Sequence, residues 1–287
     1  MTTPKTQTWI ITGAAKGLGR ALAESALAAG DNIVAAVRNP DAVADLATAY
    51  ADSFLGVRFD ARDPHAAAGL VNTTLDRFGS LDVLVNNAGR AVVGAIEEVS
   101  DAQLRDLMDL HLFGPAALVR AALPVLRRQG SGTIIQMSSQ GGRVAFPGVS
   151  AYCASKFALE GWSESLAIEV APFGVRVMIV EPSRFRTSFN AALEFTDTSQ
   201  AYRDTLAAVR TTLGDADGVQ EGDPMRAAEI IVRLAHSDDV PLRLPLGREA
   251  VERLSDAYRR GLDEVRRWAE VAGSADFDGV VAAVRAV

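Results

Sequence analysis

The sequence predicts an α/β fold, a parallel sheet of about seven strands with helices on both faces. Two observations carry this. Short apolar runs alternate with helical runs from residue 8 to residue 180, and such alternation builds a parallel sheet through right-handed crossovers. No Pro/Ser-rich linker and no repeat of solenoid period divides the 287 residues, so residues 1–287 are read as a single domain.

The strands are expected at 8–12, 32–37, 56–60, 82–86, 133–138 and 175–180, with a short last one near 242–245. Helices are expected near 18–29, 41–51, 64–78, 101–128 and 151–171. Each strand is a run rich in β-branched and apolar residues, as in Trp9-Ile10-Ile11-Thr12. Residues 188–240 differ. Phe189, Leu193, Phe195, Tyr202, Leu206, Val209 and Leu213 fall at helical spacing, and a polar stretch, 214–223, interrupts them. A charged amphipathic helix over 248–270 carries Leu254, Tyr258, Leu262, Val265 and Trp268. It is read as a surface helix or as part of a subunit contact.

Composition excludes several classes. The net charge of −7, with the positive residues interspersed among acids, argues against nucleic acid or an anionic membrane as partner. The single cysteine, Cys153, precludes an intrachain disulfide and fits a reducing cytoplasm. The polar start MTTPKTQ carries no secretory signal, and no apolar run nears a membrane span of ~20 residues. His65, His111 and His236 lie far apart in sequence, so no metal site is expected.

Two constellations carry chemistry. Gly13, Gly17 and Gly19 lie between the first strand and the first helix. Glycines there let the backbone turn and approach a pyrophosphate at the helix N-terminus, although a plain glycine-rich turn reads the same way. In the second, Tyr152 and Lys156 stand four apart on a predicted helix and so share a face. An ammonium beside a phenol is expected to lower its pKa and fit it for proton transfer. Ser139 follows the strand Thr133-Ile134-Ile135-Gln136-Met137, at the carboxyl end where α/β sheets place ligands. Taken alone, Tyr-x-x-x-Lys also describes a solvated helix face.

Together, T-G-x-x-x-G-x-G at 12–19, N-N-A-G at 86–89, Ser139 and Y-x-x-x-K at 152–156 resemble the classical short-chain dehydrogenase/reductase family. The likeness runs from about Thr8 to Thr187. It implies a Rossmann-type doubly wound sheet, a nicotinamide cofactor, reversible carbonyl/alcohol redox chemistry, and a homodimer or homotetramer. Residues 188–240 then correspond to a small helical substrate lid. By the same resemblance, Tyr152 exchanges the proton, Lys156 tunes it and holds the nicotinamide ribose, and Ser139 holds the substrate oxygen. The cofactor set comprises Gly13, Ala15, Lys16, Gly17, Leu18, Gly19, Arg38, Asp60, Ala61, Asn87, Ala88, Gly89, Tyr152, Lys156, Pro182, Ser183 and Thr187. Asn87 can serve structure as much as binding.

The second strand ends Val37-Arg38. NAD-preferring sites place a carboxylate at the end of this strand for the ribose 2′-hydroxyl. Here the carboxylate is missing, and Arg38 and Lys16 can meet a 2′-phosphate, which points to NADP(H). Two positions depart from the family pattern. His111 stands where an Asn holds a relay water, and it is read either as a substitute in that relay, counted with the catalytic set, or as a satisfied core histidine. Pro182-Ser183 replaces the commoner Pro-Gly.

The expected substrate wall is apolar: Val93, Gln140, Val144, Phe146, Phe185 and Phe189. It favours a mostly apolar ketone, aldehyde or secondary alcohol. The alternative reading is a catalytically weak NADP(H)-binding sensor or scaffold, suggested by His111 and Ser183. A nucleotide-sugar epimerase would need more chain than follows Thr187.

Overall fold

The computed structural model of the chain describes residues 6–277, 279 and 280. Most of the polar start and the last seven residues of the expected 1–287 domain thus lie outside the described residues. The first half runs β1 (Thr8–Thr12), α1 (Gly17–Ala28), β2 (Asn32–Val37), α2 (Ala44–Ala49), β3 (Phe54–Arg58), α3 (Ala67–Phe78), β4 (Val83–Asn86) and the short β5 (Val92–Val93). Next come α4 (Asp101–Met108), α5 (Gly114–Gln129), β6 (Gly132–Met137), α6 (Ser150–Val170) and β7 (Val175–Pro182). The chain continues through β8 (Glu194–Phe195), α7 (Arg203–Gly214), α8 (Pro224–Ala235), β9 (Arg243–Leu246) and α9 (Arg248–Gly273).

Seven strands form one parallel sheet in the order β3-β2-β1-β4-β6-β7-β9. This is the doubly wound Rossmann-type architecture. Strand side chains alternate between faces, so Ile11 and Val85 join the core beneath α1 and α8. Their neighbours Ile10 and Leu84 join the core beneath α3, α5 and α6. Both faces are buried, which is why the strands read as unbroken apolar runs. Chain order reverses between β1 and β4, and the crevice at their carboxyl ends is where such sheets bind ligands.

Three elements differ from expectation. β3 starts and ends two residues early because Phe54 and Leu55 pair with Ile33 and Val34, leaving Asp60 in the loop beyond the strand. The helix expected at 101–128 is broken by a π turn at Asp109–Phe113. Asp101–Gln129 is long and apolar enough to span a bilayer, but α5 is packed into the core through Leu118, Val119 and Leu126. Finally, α8 lies within 188–240 yet buries Ala227, Ala228, Ile231 and Ala235 against the sheet core. Within 188–240, the residues that border the cavity described below all lie in the segment through α7.

The π turn brings the start of α5 against the loop after β3. A Cβ on Gly114 would fall 1.7 Å from the Ala61 carbonyl oxygen, which no rotamer change can relieve. Gly114→Ala is expected to destabilise the fold by about 1–3 kcal/mol, read as a lowered urea midpoint at unchanged slope.

Candidate active site

The loops at the carboxyl ends of β1, β2, β4, β6 and β7 enclose one cavity of about 930 Å³. At one end lies the glycine turn. Gly13 and Gly17 have φ of +69° and +60°, a region that favours glycine. No side chain caps the N-terminus of α1, so its dipole faces the cavity. Ala15, Lys16 and Leu18 also line it. Gly19 does not, and the expectation of a cofactor contact there is corrected. A Cβ on Gly19 would lie 2.5 Å from the Gly13 carbonyl oxygen and 2.4 Å from Asn87 Nδ2, so this glycine serves helix-to-loop packing.

Asn87 is spent on structure. Its Nδ2 donates to the Thr12 carbonyl at 2.8 Å. The Asn87 and Ala88 backbone N–H groups donate to Thr12 Oγ1 at 2.9 and 3.0 Å. Thr12 thus stitches the β4 loop to the glycine turn while the loop still borders the cavity. Farther along, Arg38, Asp60 and Ala61 line the same end. Asp60 is gripped by Arg62 at 2.7 and 3.0 Å, and those hydrogen bonds hold its carboxyl down to about 2. Arg62 also donates to Asp106 at 2.9 Å. Sequence reasoning missed Arg62, although its place two residues after Asp60 was the available signal.

At the other end, α6 presents Tyr152 and Lys156 to the cavity one turn apart. Lys156 is buried, and its Nζ donates to the Met137 carbonyl at 2.7 Å. Ser139 opens a short turn at 140–142, its Oγ accepting from the Gly141 N–H at 3.0 Å. A Cβ on Gly141 would touch both the Tyr152 ring, at 3.3 Å, and Ser139 Oγ, at 3.4 Å. The absence of a side chain there lets serine and phenol meet.

The expected charge coupling is corrected. Burial pushes the Tyr152 phenol up to about 12, opposed by the Ser139 hydrogen bond. Burial also pulls Lys156 down to about 7, opposed by the charge of Glu160. Desolvation disfavours the charged form of each group and is the largest influence on both. At neutral pH the phenol therefore keeps its proton, as a donor requires.

His111 lies beneath this site and not on the cavity, 1 % exposed. Its Nε2 accepts from the Arg90 backbone N–H at 3.3 Å. Ser155 Oγ donates to the Tyr152 carbonyl at 2.7 Å, so the 2.7 Å contact with His111 Nδ1 is a bond donated by the histidine. Both ring nitrogens are engaged and the ring is neutral. Burial and the Lys156 charge pull its pKa well below the usual histidine range. Its ring meets that of Tyr152 edge-on at 5.6 Å.

The sequence model of the family described as short chain dehydrogenase matches residues 7–197, spanning every motif above. The chain belongs to the short-chain dehydrogenase/reductase family. It is 34% identical over 268 residues to Oxidoreductase BOA17 of Botryotinia fuckeliana, covering 93% of this chain and 98% of that one. The uncharacterized oxidoreductase YusZ of Bacillus subtilis is 33% identical over 254 residues, covering 83% and 88%. A crystal structure of a short-chain dehydrogenase from Streptomyces avermitilis superposes with a TM-score of 0.89 at 43% identity, covering 95% and 100%. The chain is thus an oxidoreductase of this family.

In this short-chain dehydrogenase the segment between β7 and α7 is tied down at two points. β8 pairs with β5 in parallel. Glu98 accepts from Ser199 N–H at 2.8 Å and from Thr196 Oγ1 at 3.2 Å. Phe146, Phe185 and Phe189 line the cavity, with Phe189 edge-on to Tyr152 at 6.2 Å. Gln140 lines it too, and its Oε1 is buried with no partner among the described residues. Val93 and Val144 do not line it. Val93 is fully buried within β5, and the chain turns at Val144 so that Phe146 takes the wall instead. Pro182, Ser183 and Thr187 border the cavity as expected. Ser183 Oγ would collide at 2.3 Å with a Cβ on Gly247, so the serine is matched by a glycine opposite.

Proposed function

We propose that this chain is an NADP(H)-dependent oxidoreductase acting between a mostly apolar ketone or aldehyde and the corresponding secondary or primary alcohol. One observation carries the reading: the Ser139–Tyr152–Lys156 group opens onto an apolar-walled cavity continuous with the glycine turn at 13–19. The turn fits a dinucleotide, because Gly13 and Gly17 leave the backbone bare where a pyrophosphate would lie and no side chain occupies the α1 N-terminus. When bound, the nicotinamide supplies or accepts the hydride. Tyr152 donates its proton to the carbonyl oxygen in reduction and takes it back in oxidation. Ser139 hydrogen-bonds that same oxygen and stabilises its developing charge. Lys156, when protonated, favours the phenolate that remains. Arg38, beside a carboxylate-free Val37, would receive the 2′-phosphate, and the phenylalanines exclude water.

In this reading His111 positions Tyr152 through Ser155, keeping its Nδ1 proton and relaying none. A 15N spectrum of the three histidines is expected to show His111 as a neutral Nδ1–H tautomer throughout the range in which an ordinary imidazole titrates. A His111 transition near 6.5 would contradict this. The alternative, a binding protein without turnover, drew on His111 and Ser183, and both positions are structurally compensated here. The test follows NADPH absorbance with a panel of alkyl and aryl ketones and aldehydes. Consumption is expected with these and not with sugars or phosphorylated carbonyls, whereas binding of NADPH without turnover on any carbonyl would favour the alternative.

A further inference from the structure

Behind Lys156 lies a buried charged cluster that the proposed chemistry does not use. Glu160 follows Lys156 by one turn of α6, and Glu181 comes from the end of β7. Both are buried, at 3 % and 0 % exposure. Two arginines serve both acids. Arg143 Nη1 is 3.9 Å from Glu160 Oε2 and 3.9 Å from Glu181 Oε1. Arg243 places Nη2 3.1 Å from Glu160 Oε2 and Nε 3.4 Å from Glu181 Oε1. The half-exposed Glu164, on the next turn, takes a further bond from Arg243 at 2.7 Å. From α9, the Tyr258 ring stacks 4.9 Å from the Arg143 guanidinium.

None of the four carboxyl oxygens of Glu160 and Glu181 finds a well-directed donor among the described residues. Two buried carboxylates without directed donors are costly as a pair of anions. One proton shared between them supplies a donor and removes a charge. The cluster also abuts the Ser139 loop, since a Cβ on Gly142 would meet Ser138 Oγ at 2.5 Å and Glu160 Oε1 at 3.0 Å.

We infer that Glu160 and Glu181 hold one proton between them, and that the remaining negative charge is a positioning element that sets the charge state of Lys156. Glu160 is the member adjacent to the lysine, and Glu181 decides how much of the charge resides there. The consequence for turnover rests on the proposed role of Lys156, but the charge linkage itself does not.

The sequence holds three lysines, Lys5, Lys16 and Lys156, so the 13C-ε signals of lysine-labelled, cofactor-free protein can be followed through a pH titration. Lys156 is expected to titrate near 7. Glu160→Gln removes the neighbouring charge and is expected to lower that midpoint by at least ~0.5 unit. Glu181→Gln leaves the charge wholly on Glu160 and is expected to raise it by a similar amount. Lys16 is the internal control. If Glu160→Gln fails to fold, the upward shift in Glu181→Gln still decides the matter. Unmoved midpoints, or shifts of the same sign in both variants, would overturn the inference. In turnover, reduction should decline as pH rises through the lysine midpoint, and the two variants should move that limb in opposite directions. A titration that shifts as described in a protein that turns over no carbonyl would sink the proposed function and leave the linkage standing.

Discussion

Tyr152→Phe is expected to lower kcat for carbonyl reduction by about 100- to 10,000-fold, the range that a positioned proton donor supplies. The structure makes the variant a clean one. The ring is half-buried and packed edge-on against His111 and Phe189, contacts that phenylalanine keeps. Only the hydroxyl next to Ser139 is lost. NADPH affinity, read by fluorescence quenching, should stay within about fivefold of the wild type, because one neutral hydrogen bond is worth ~1 kcal/mol. Burial holds the phenol up near 12, so the donor remains protonated across the working range, and a pH limb near 7 comes from Lys156 or from the Glu160–Glu181 pair behind it. Near-normal turnover in this variant would remove Tyr152 from the chemistry. Equal losses in kcat and in NADPH binding would make it a structural residue.

Arg38→Ser is expected to weaken NADPH binding by roughly 10- to 100-fold while changing NADH binding little. Charge-assisted hydrogen bonds to a phosphate are worth ~1.5–3 kcal/mol, and NADH offers no phosphate at that position. Val37→Asp should act in the same direction by repulsion and by offering the ribose hydroxyl an acceptor. Combining the two is expected to reverse the preference. Arg62 cannot readily substitute, since Asp60 and Asp106 already occupy its guanidinium. Paired affinity titrations of both cofactors check this. Parallel losses for NADPH and NADH would show that Arg38 touches a part the two share, and the cofactor assignment would fall.

The sheet was legible because both faces of every central strand are buried, so strands such as Val83–Asn86 appear as apolar runs whatever covers them. Gly13 and Gly17 were legible because their backbone demands glycine. Gly19 was misassigned because a glycine that permits packing looks the same in sequence as one that meets a ligand. The π turn at 109–113 left no sign in the sequence pattern, since the Ala61 carbonyl that lies against Gly114 comes from a loop some fifty residues earlier. The partners of the titrating groups were equally hidden. The i, i+4 spacing correctly placed Tyr152 and Lys156 together, yet burial reversed the shift expected for the phenol and pulled the lysine down as well. Likewise, the two partners of His111 come from Arg90 and Ser155, 21 and 44 positions away, and neither is paired with it by any sequence motif.

The most direct test of the account is isotopic. NADPH carrying deuterium at C4 would be incubated with an alkyl aryl ketone and the protein, and the alcohol product analysed by mass spectrometry. The account predicts one deuterium on the carbinol carbon, derived from a single face of the nicotinamide, with the signal lost in Tyr152→Phe. Alcohol formed without deuterium from either face, or NADPH bound with no alcohol formed from any carbonyl tried, would contradict hydride transfer at this site.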